Sequence, residues 1–466
     1  MTVGLPIDPA RGWAVLLAVG TFGVLVLLPF PESCFAVAVA AGIVVAWRSP
    51  ATMLGLLAAS IPVQAEGSFH IAGLPFTWTR AALLCLVIGW LLARERQPVR
   101  IDPIAWGYIA ILLFLGTSIL ASPAVGGWAG EIYRWLAATV VYIIARTILR
   151  SRSDVVTAIS GIALGVIGIC LVGFYQVITV TGPPSFVVDG ILRAYGSFGE
   201  PNPFAAYLEL SVLLLIGAFA ATQRGWADTS RHTRVLIGTG IVLGMAMLFL
   251  TQSRGGWIGF AAGLLTLGLV LDRRQRWAAA GVGVVLACLV LVSPVGSKVT
   301  DRFASLTSSA DVQVTSANWA NQERRAHWGA AISMMKANPW TGIGAGAFND
   351  RYREYTPVWR FRIGRGHAHD GFLQLAAEAG IPGLLAFSSW FLAMLVTLGR
   401  TLRRMRGDRS CAPLLVAGLA TVVAFGVHSL VDYLNVLSLG IELSIVVAVV
   451  LAAGEISFRD RRPTNP

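Results

Sequence analysis

The sequence predicts an all-α integral membrane protein with 12–14 transmembrane helices and one long extracytoplasmic loop. Three observations carry the prediction. Hydrophobic residues fill 56% of the 466 positions and charged residues only 13%, against about 25% charged in a soluble protein; mean hydropathy is +0.70. Apolar runs of membrane-spanning length recur along the chain. The basic residues fall on alternate sides of those runs.

The apolar runs lie near 12–30, 33–47, 51–65, 79–93, 104–120, 134–148, 155–180, 203–221, 235–250, 255–271, 277–293, 381–399, 412–431 and 433–453. Several early runs are shorter than the roughly 20 residues of a full span, hence a range of 12–14. The expected organisation is about eleven helical segments in 1–293, one loop in 294–380, and C-terminal helices with a tail in 381–466. Arg11 and the apolar run to Phe30 resemble a signal sequence, but another apolar run follows Pro29-Phe-Pro31 directly. That predicts a retained helical hairpin. The five cysteines lie in or beside apolar segments without metal-ligand spacing, so they read as small core residues.

With the N-terminus placed in the cytoplasm, 22 of the 36 basic residues fall on the cytoplasmic side, ten more fall in 294–380, and only Arg80, Arg134, Arg193 and Arg254 remain in short outer loops. This positive-inside pattern puts both termini in the cytoplasm and the long loop on the far side. The net charge of +12 therefore belongs to membrane topology rather than to nucleic acid.

Each lone outer arginine works against that pattern and needs a reason. Arg80 and Arg134 open their helices and can snorkel to the interface. Arg193 precedes Glu200-Pro-Asn-Pro203, where the prolines around Asn202 constrain a helix entry. Arg254 lies in Thr251-Gln-Ser-Arg-Gly-Gly256, a turn with almost no loop. Rigid helices on both sides would hold it to grip an anion, or it caps the preceding helix.

The long loop is too long for a plain connection. Its first part, to Asn321, is rich in Ser, Thr and Ala. Gln322 to Asn338 reads as an amphipathic helix with Arg324 and Arg325 near its start and Asn338-Pro339 at its end. Gly342-Ile-Gly-Ala-Gly346 lacks a preceding strand, so it reads as a tight turn rather than a nucleotide loop. A basic, aromatic run follows from Arg351 through Tyr355 to Arg365. It suits a phosphate, lipid or sugar partner, or an interfacial anchor. Asp370 as N-cap and Gly380 as terminator predict a helix over 371–379. His369 then stands at a helix start, where the dipole depresses its pKa and leaves a neutral base. His367 and His369 can alternatively ligate a metal, though no further ligand cluster is evident, or be structural. His428 and Asp432 form an i,i+4 pair at a span end, functional or packed.

These residues occur in an ordered set that resembles the O-antigen ligase and polymerase superfamily. The stretches are Gly196-Ser-Phe-Gly-Glu-Pro-Asn-Pro-Phe-Ala-Ala-Tyr-Leu208, Ser253-Arg-Gly-Gly-Trp257, Glu323-Arg-Arg-Ala-His-Trp328 with Asn338-Pro-Trp-Thr-Gly-Ile-Gly-Ala-Gly346, and Gly366-His-Ala-His-Asp-Gly-Phe-Leu-Gln374 with Glu378-Ala-Gly380. The tail His428-Ser-Leu-Val-Asp432 is similar to the family's ending. The departure is Asp370, where the family more often has Asn; a carboxylate there would raise the pKa of His369.

The resemblance implies a GT-C type membrane glycosyltransferase of the bacterial inner membrane, without cofactor or metal. It implies an undecaprenyl-diphosphate-linked glycan as donor and a lipid A core or another glycan as acceptor. The family's arginines carry over to Arg193, Arg254 and Arg324, with Arg325 as the alternative to Arg324, and its histidine to His369. Arginine forks suit the diphosphate leaving group and a neutral histidine suits an acceptor hydroxyl. A transporter of lipid-linked glycans is the competing class, but no internal repeat is evident.

Overall fold

A computed structural model of the chain describes residues 32–63, 69–71, 74–93, 98–188, 190–268, 319–356, 358–405 and 407–461. The expected segments 12–30 and 277–293, and loop residues 294–318, lie outside them.

The described chain is helical, with two short hairpins. The helices are α1 (Glu32–Arg48), α2 (Pro50–Ser60), α3 (Trp78–Leu92), α4 (Pro103–Thr117), α5 (Val125–Ile148), α6 (Arg152–Thr179), α7 (Pro201–Gln223), α8 (Arg231–Leu250), α9 (Arg254–Gly268), α10 (Trp319–Ala337), α11 (Phe348–Tyr355), α12 (Gly371–Arg404), α13 (Ala412–Ser429) and α14 (Leu439–Asp460). Strands β1 (Phe69–Ile71) and β2 (Leu74–Phe76) pair antiparallel, as do β3 (Val187–Val188) and β4 (Ile191–Leu192). The second hairpin delivers Arg193 to the start of α7.

Among the described residues, seven helices are long and apolar enough to cross a membrane: α4 with its following turn, α6, α7, α8, α12, α13 and α14; α1, α2 and α3 are shorter apolar helices. The chain is an all-α integral membrane protein. Helices α7, α13 and α14 form the centre, with 83%, 78% and 89% of their apolar windows buried, against 28% for α8 at the periphery. Peripheral helices turn residues such as Ile178, Val242 and Leu265 outward.

Two boundaries differ from the sequence expectation. The segment expected at 134–148 begins at Val125. Gly126, Gly127, Gly130 and Glu131 dilute its hydropathy, but Glu131 is buried and accepts hydrogen bonds from Trp135 Nε1 and Tyr433. Arg134 therefore stands inside a helix, ion-paired with Glu131, and does not open one. The last span begins at Leu439 rather than 433, because residues 430–438 form a loop whose Tyr433 and Leu434 look like span residues by hydropathy alone.

Helix α9 packs against α7 and α13 through a glycine stripe. A Cβ on Gly255 would lie 2.7 Å from the His428 ring, and one on Gly259 would lie 2.7 Å from Glu209 Oε2 and 3.0 Å from the Ala424 carbonyl. Only glycines allow this approach, which holds Arg254 against the centre of the bundle.

Helix α12 is two helices. Gly380 has φ +68°, outside helical geometry, and the second helix restarts at Ile381-Pro382. Asp370 caps the first, accepting from Phe372 N at 2.8 Å and Leu373 N at 2.9 Å. The expected short helix over 371–379 is thus present, with a second helix stacked on its end.

Candidate active site

The site lies where α7, α9, α10 and α12 begin and α13 ends. Its scaffold is the loop after α10. Gly342, Gly344 and Gly346 all have positive φ, and the loop backbone runs along the first half of α12, with Ile343 N donating to Ala377 O at 2.9 Å and Gly344 N to Glu378 O at 3.1 Å. Ala345 N donates to Ser118 Oγ at 2.9 Å, tying the loop to the α4–α5 connection. The Gly-x-Gly-x-Gly stretch is a tight turn, as its sequence predicts. Beneath the histidines, Ala368 N donates to Gln374 Oε1 at 2.7 Å, and Gln374 Nε2 donates to the buried Glu378 at 2.9 Å.

The His367 and His369 rings meet edge to face, centroids 4.4 Å apart. His369 has φ +54°, a left-handed conformation uncommon for a side chain of this size. That turn lets the His369 amide donate to His367 Nδ1 at 3.2 Å. The His369 carbonyl accepts from Trp328 Nε1 at 3.2 Å. The His369 imidazole meets Asp432, Nδ1 to Oδ1 at 3.3 Å, and His367 Nδ1 lies 3.7 Å from the same oxygen.

Asp432 is the hub. Its Oδ2 accepts from Asn202 Nδ2 at 2.9 Å and its Oδ1 from Tyr433 N at 2.9 Å. Asn202 in turn accepts from Arg193 Nη2 at 3.1 Å, and Arg193 Nε donates to Thr251 O at 3.0 Å, in the turn that carries Arg254. Arg254 is buried and donates from Nη2 to Asn321 Oδ1 at 3.0 Å, which brings in α10. Burial raises the Asp432 carboxyl. The hydrogen bond from His369 and the electrostatic pull of its neighbours His367 and Arg324 outweigh it, and Asp432 is held well below the usual carboxylate range. Burial pushes the His367 imidazole down to about 4; Asp432 opposes this, while His369, His327 and Arg324 add to it. His367 is therefore neutral at physiological pH, as its role as acceptor of an N–H requires.

Several sequence expectations need correcting. The carboxylate beside His369 is Asp432, not Asp370, whose Oδ1 is taken up by the helix cap. Burial raises Asp370 to about 6, against the pull of Leu373 N and Phe372 N. His428 and Asp432 are not a pair. His428 turns into the core and meets Glu209, Nδ1 to Oε1 at 3.1 Å, with both side chains buried. The i,i+4 spacing fails because α13 ends at Ser429, so Asp432 leaves the helix face. Tyr355 packs on a satellite core with Asn338 and Arg351 as partners, not with the histidines. Arg325 is exposed, whereas Arg324 is half-buried, acts on His367, His428 and Asp432, and has no hydrogen-bond or ion-pair partner among the described residues.

The sequence alone assigns no site role to His327 or Tyr352, which lie in stretches named above, nor to Tyr433. His327 stacks on Tyr352 at 4.3 Å and touches the His369 ring edge at 5.2 Å. Its Nδ1 bonds to Glu323 O and its Nε2 accepts from Arg365 N. Burial lowers it to about 4, with the Glu323 carbonyl opposing. Its place one turn after Glu323, on the helix carrying Arg324, was the available signal.

Chemically, a carboxylate on Nδ1 leaves His369 Nε2 with its lone pair, an arrangement that suits proton abstraction. Ligand atoms of His367, His369 and Asp432 also lie within 4.8 Å of one another, a donor set that can hold a metal ion. Two features oppose that use. His367 Nδ1 already accepts the His369 amide, and Arg324 adds positive charge to the cluster. No curated protein matches the chain. Residues 239–388, which include Arg254, Arg324, His367 and His369, match the family model described as O-Antigen ligase.

Proposed function

We propose that the protein is a metal-independent GT-C type glycosyltransferase that moves a glycan from an undecaprenyl-diphosphate carrier to an acceptor hydroxyl on the outer face of the inner membrane. This refines the ligase- or polymerase-type function that the family match supports. The observation that carries the reading is the convergence of Arg193, Asn202, Arg254, Arg324, His369 and Asp432 from separate stretches of chain on one end of the bundle.

The acceptor oxygen attacks the anomeric carbon as its proton passes to His369 Nε2. Asp432 stabilises the imidazolium that forms. The bond to the diphosphate breaks, and the electron pair leaves with the undecaprenyl diphosphate, whose growing charge Arg254 and Arg324 neutralise. Direct displacement inverts the anomeric centre. Arg193 holds Asn202, and Asn202 holds Asp432. A lipid A core acceptor makes the enzyme a ligase, and a second repeat unit makes it a polymerase.

Purified protein given an undecaprenyl-diphosphate-linked glycan and both acceptors tests this. Transfer to either, insensitive to a chelator, is the expected result. Absence of transfer together with movement of the lipid-linked glycan across vesicles would make it a transporter. A reporter fused after Lys298 should report the outer side.

A further inference from the structure

A second site lies at the other end of the bundle. There a cavity of about 560 Å³ opens among the last turns of α5, α12 and α14 and the residues that lead into α4. Helix α12 starts beside His369 and ends in this cavity, and its second half alone, Ile381–Arg404, spans roughly 36 Å. The cavity is therefore far from the histidine cluster, on the side that the arginine distribution assigns to the cytoplasm.

Five arginines line it, namely Arg100, Arg146, Arg150, Arg404 and Arg459, against two carboxylates, Asp102 and Glu455. Both carboxylates are already committed. Glu455 takes Arg100 at 2.9 Å and Arg146 at 2.5 Å. Asp102 caps α4, accepts from Tyr142 Oη at 2.6 Å and lies 3.5 Å from Arg146 Nε. The Arg150 and Arg459 side chains donate to carbonyls, of Thr147 and Arg150, and Arg404 meets no partner among the described residues.

Arg146 is the telling residue. It is 8% exposed, and its Nη1 has no hydrogen-bond partner among the described residues. A buried guanidinium donor without an acceptor is costly, so an anion in the cavity would complete it. Several guanidinium forks around one concave space match phosphate oxygens. Leu149, Met405, Leu451 and Phe458 supply an apolar wall beside them.

We propose that this cavity binds the phosphate group of a mono- or diester, either an anionic phospholipid headgroup or a soluble phosphate ester. The proposal does not depend on the reaction catalysed at the histidine end. The test is native mass spectrometry of delipidated wild-type protein titrated with phosphatidylglycerol, phosphatidylcholine or glycerol 3-phosphate. Retention of phosphatidylglycerol well above phosphatidylcholine identifies a lipid source, and retention of glycerol 3-phosphate identifies a soluble one. Arg150→Gln and Arg404→Gln strand no carboxylate, and each should weaken retention about fivefold. Arg231→Gln, a basic residue at the start of α8 outside the cavity, should leave it unchanged. The proposal is overturned if wild type prefers neither anionic compound, or if Arg231→Gln costs as much as the cavity variants. Thermal unfolding midpoints of all variants separate a lost site from a lost fold.

Discussion

His369 and Asp432, 63 residues apart in the chain, meet Nδ1 to Oδ1 at 3.3 Å. That contact, and not one to the adjacent Asp370, pairs the histidine with a carboxylate. Asp432→Asn should therefore lower glycan transfer by roughly 10²–10⁴ with the fold retained. Asp370→Asn keeps a good helix cap and should change transfer by no more than about twofold. Steady-state rates of the two variants side by side decide the matter, and equal losses would refute the assignment.

Arg324 and Arg325 are adjacent, but Arg324 is half-buried and acts on the cluster, whereas Arg325 is exposed. On the proposed mechanism Arg324→Ala should reduce the turnover rate by about 10²–10³, because its charge would meet the diphosphate most strongly as the bond breaks. Arg325→Ala should stay close to wild type. A reversed order would mean that α10 presents its other face to the substrate.

Gly259→Ala would drive a methyl group into Glu209 and the Ala424 carbonyl. It should destabilise the protein by about 1–3 kcal/mol and displace Arg254, so both the unfolding midpoint and transfer should fall. Gly268→Ala on the same helix meets nothing within 4 Å among the described residues and serves as the control that should lose neither.

Acid should loosen this end of the bundle. His327 and His367 have native pKa values near 4, below their unfolded value of about 6.5. The stability they contribute is complete above 6.5 and is lost as pH falls towards 4. Asp370, raised to about 6, acts in the opposite sense, since its protonated form suits the fold. Glu200, raised by burial, acts with Asp370; the histidines' own share is a drop in the unfolding midpoint between pH 6.5 and 4. His327→Gln should flatten that slope, and an unchanged slope would exclude His327 as a contributor.

The sequence was most readable where local chemistry acts. Asp370 and Gly380 marked both ends of a short helix because capping and left-handed geometry depend on the residues themselves. The glycine turn at 342–346 was readable for the same reason. The partner of Asp432 was not. Helical spacing pointed to His428, and only the end of α13 at Ser429 and the packing of four other elements turn Asp432 towards His369. The start of α5 was hidden because the buried Glu131 and its glycines look like a loop until Tyr433 and Arg134 surround them.

The left-handed backbone at His369 has a consequence for which residues can occupy that position. Apart from glycine, only Asn, Asp and His enter this conformation with any ease. Of these, only histidine carries a base that is neutral near physiological pH. Conformation and reactivity thus act as two independent filters whose overlap is a single amino acid. A saturation library at position 369 sorted first for folded protein should return Gly, Asn and Asp alongside His. Sorted for transfer, it should return His alone.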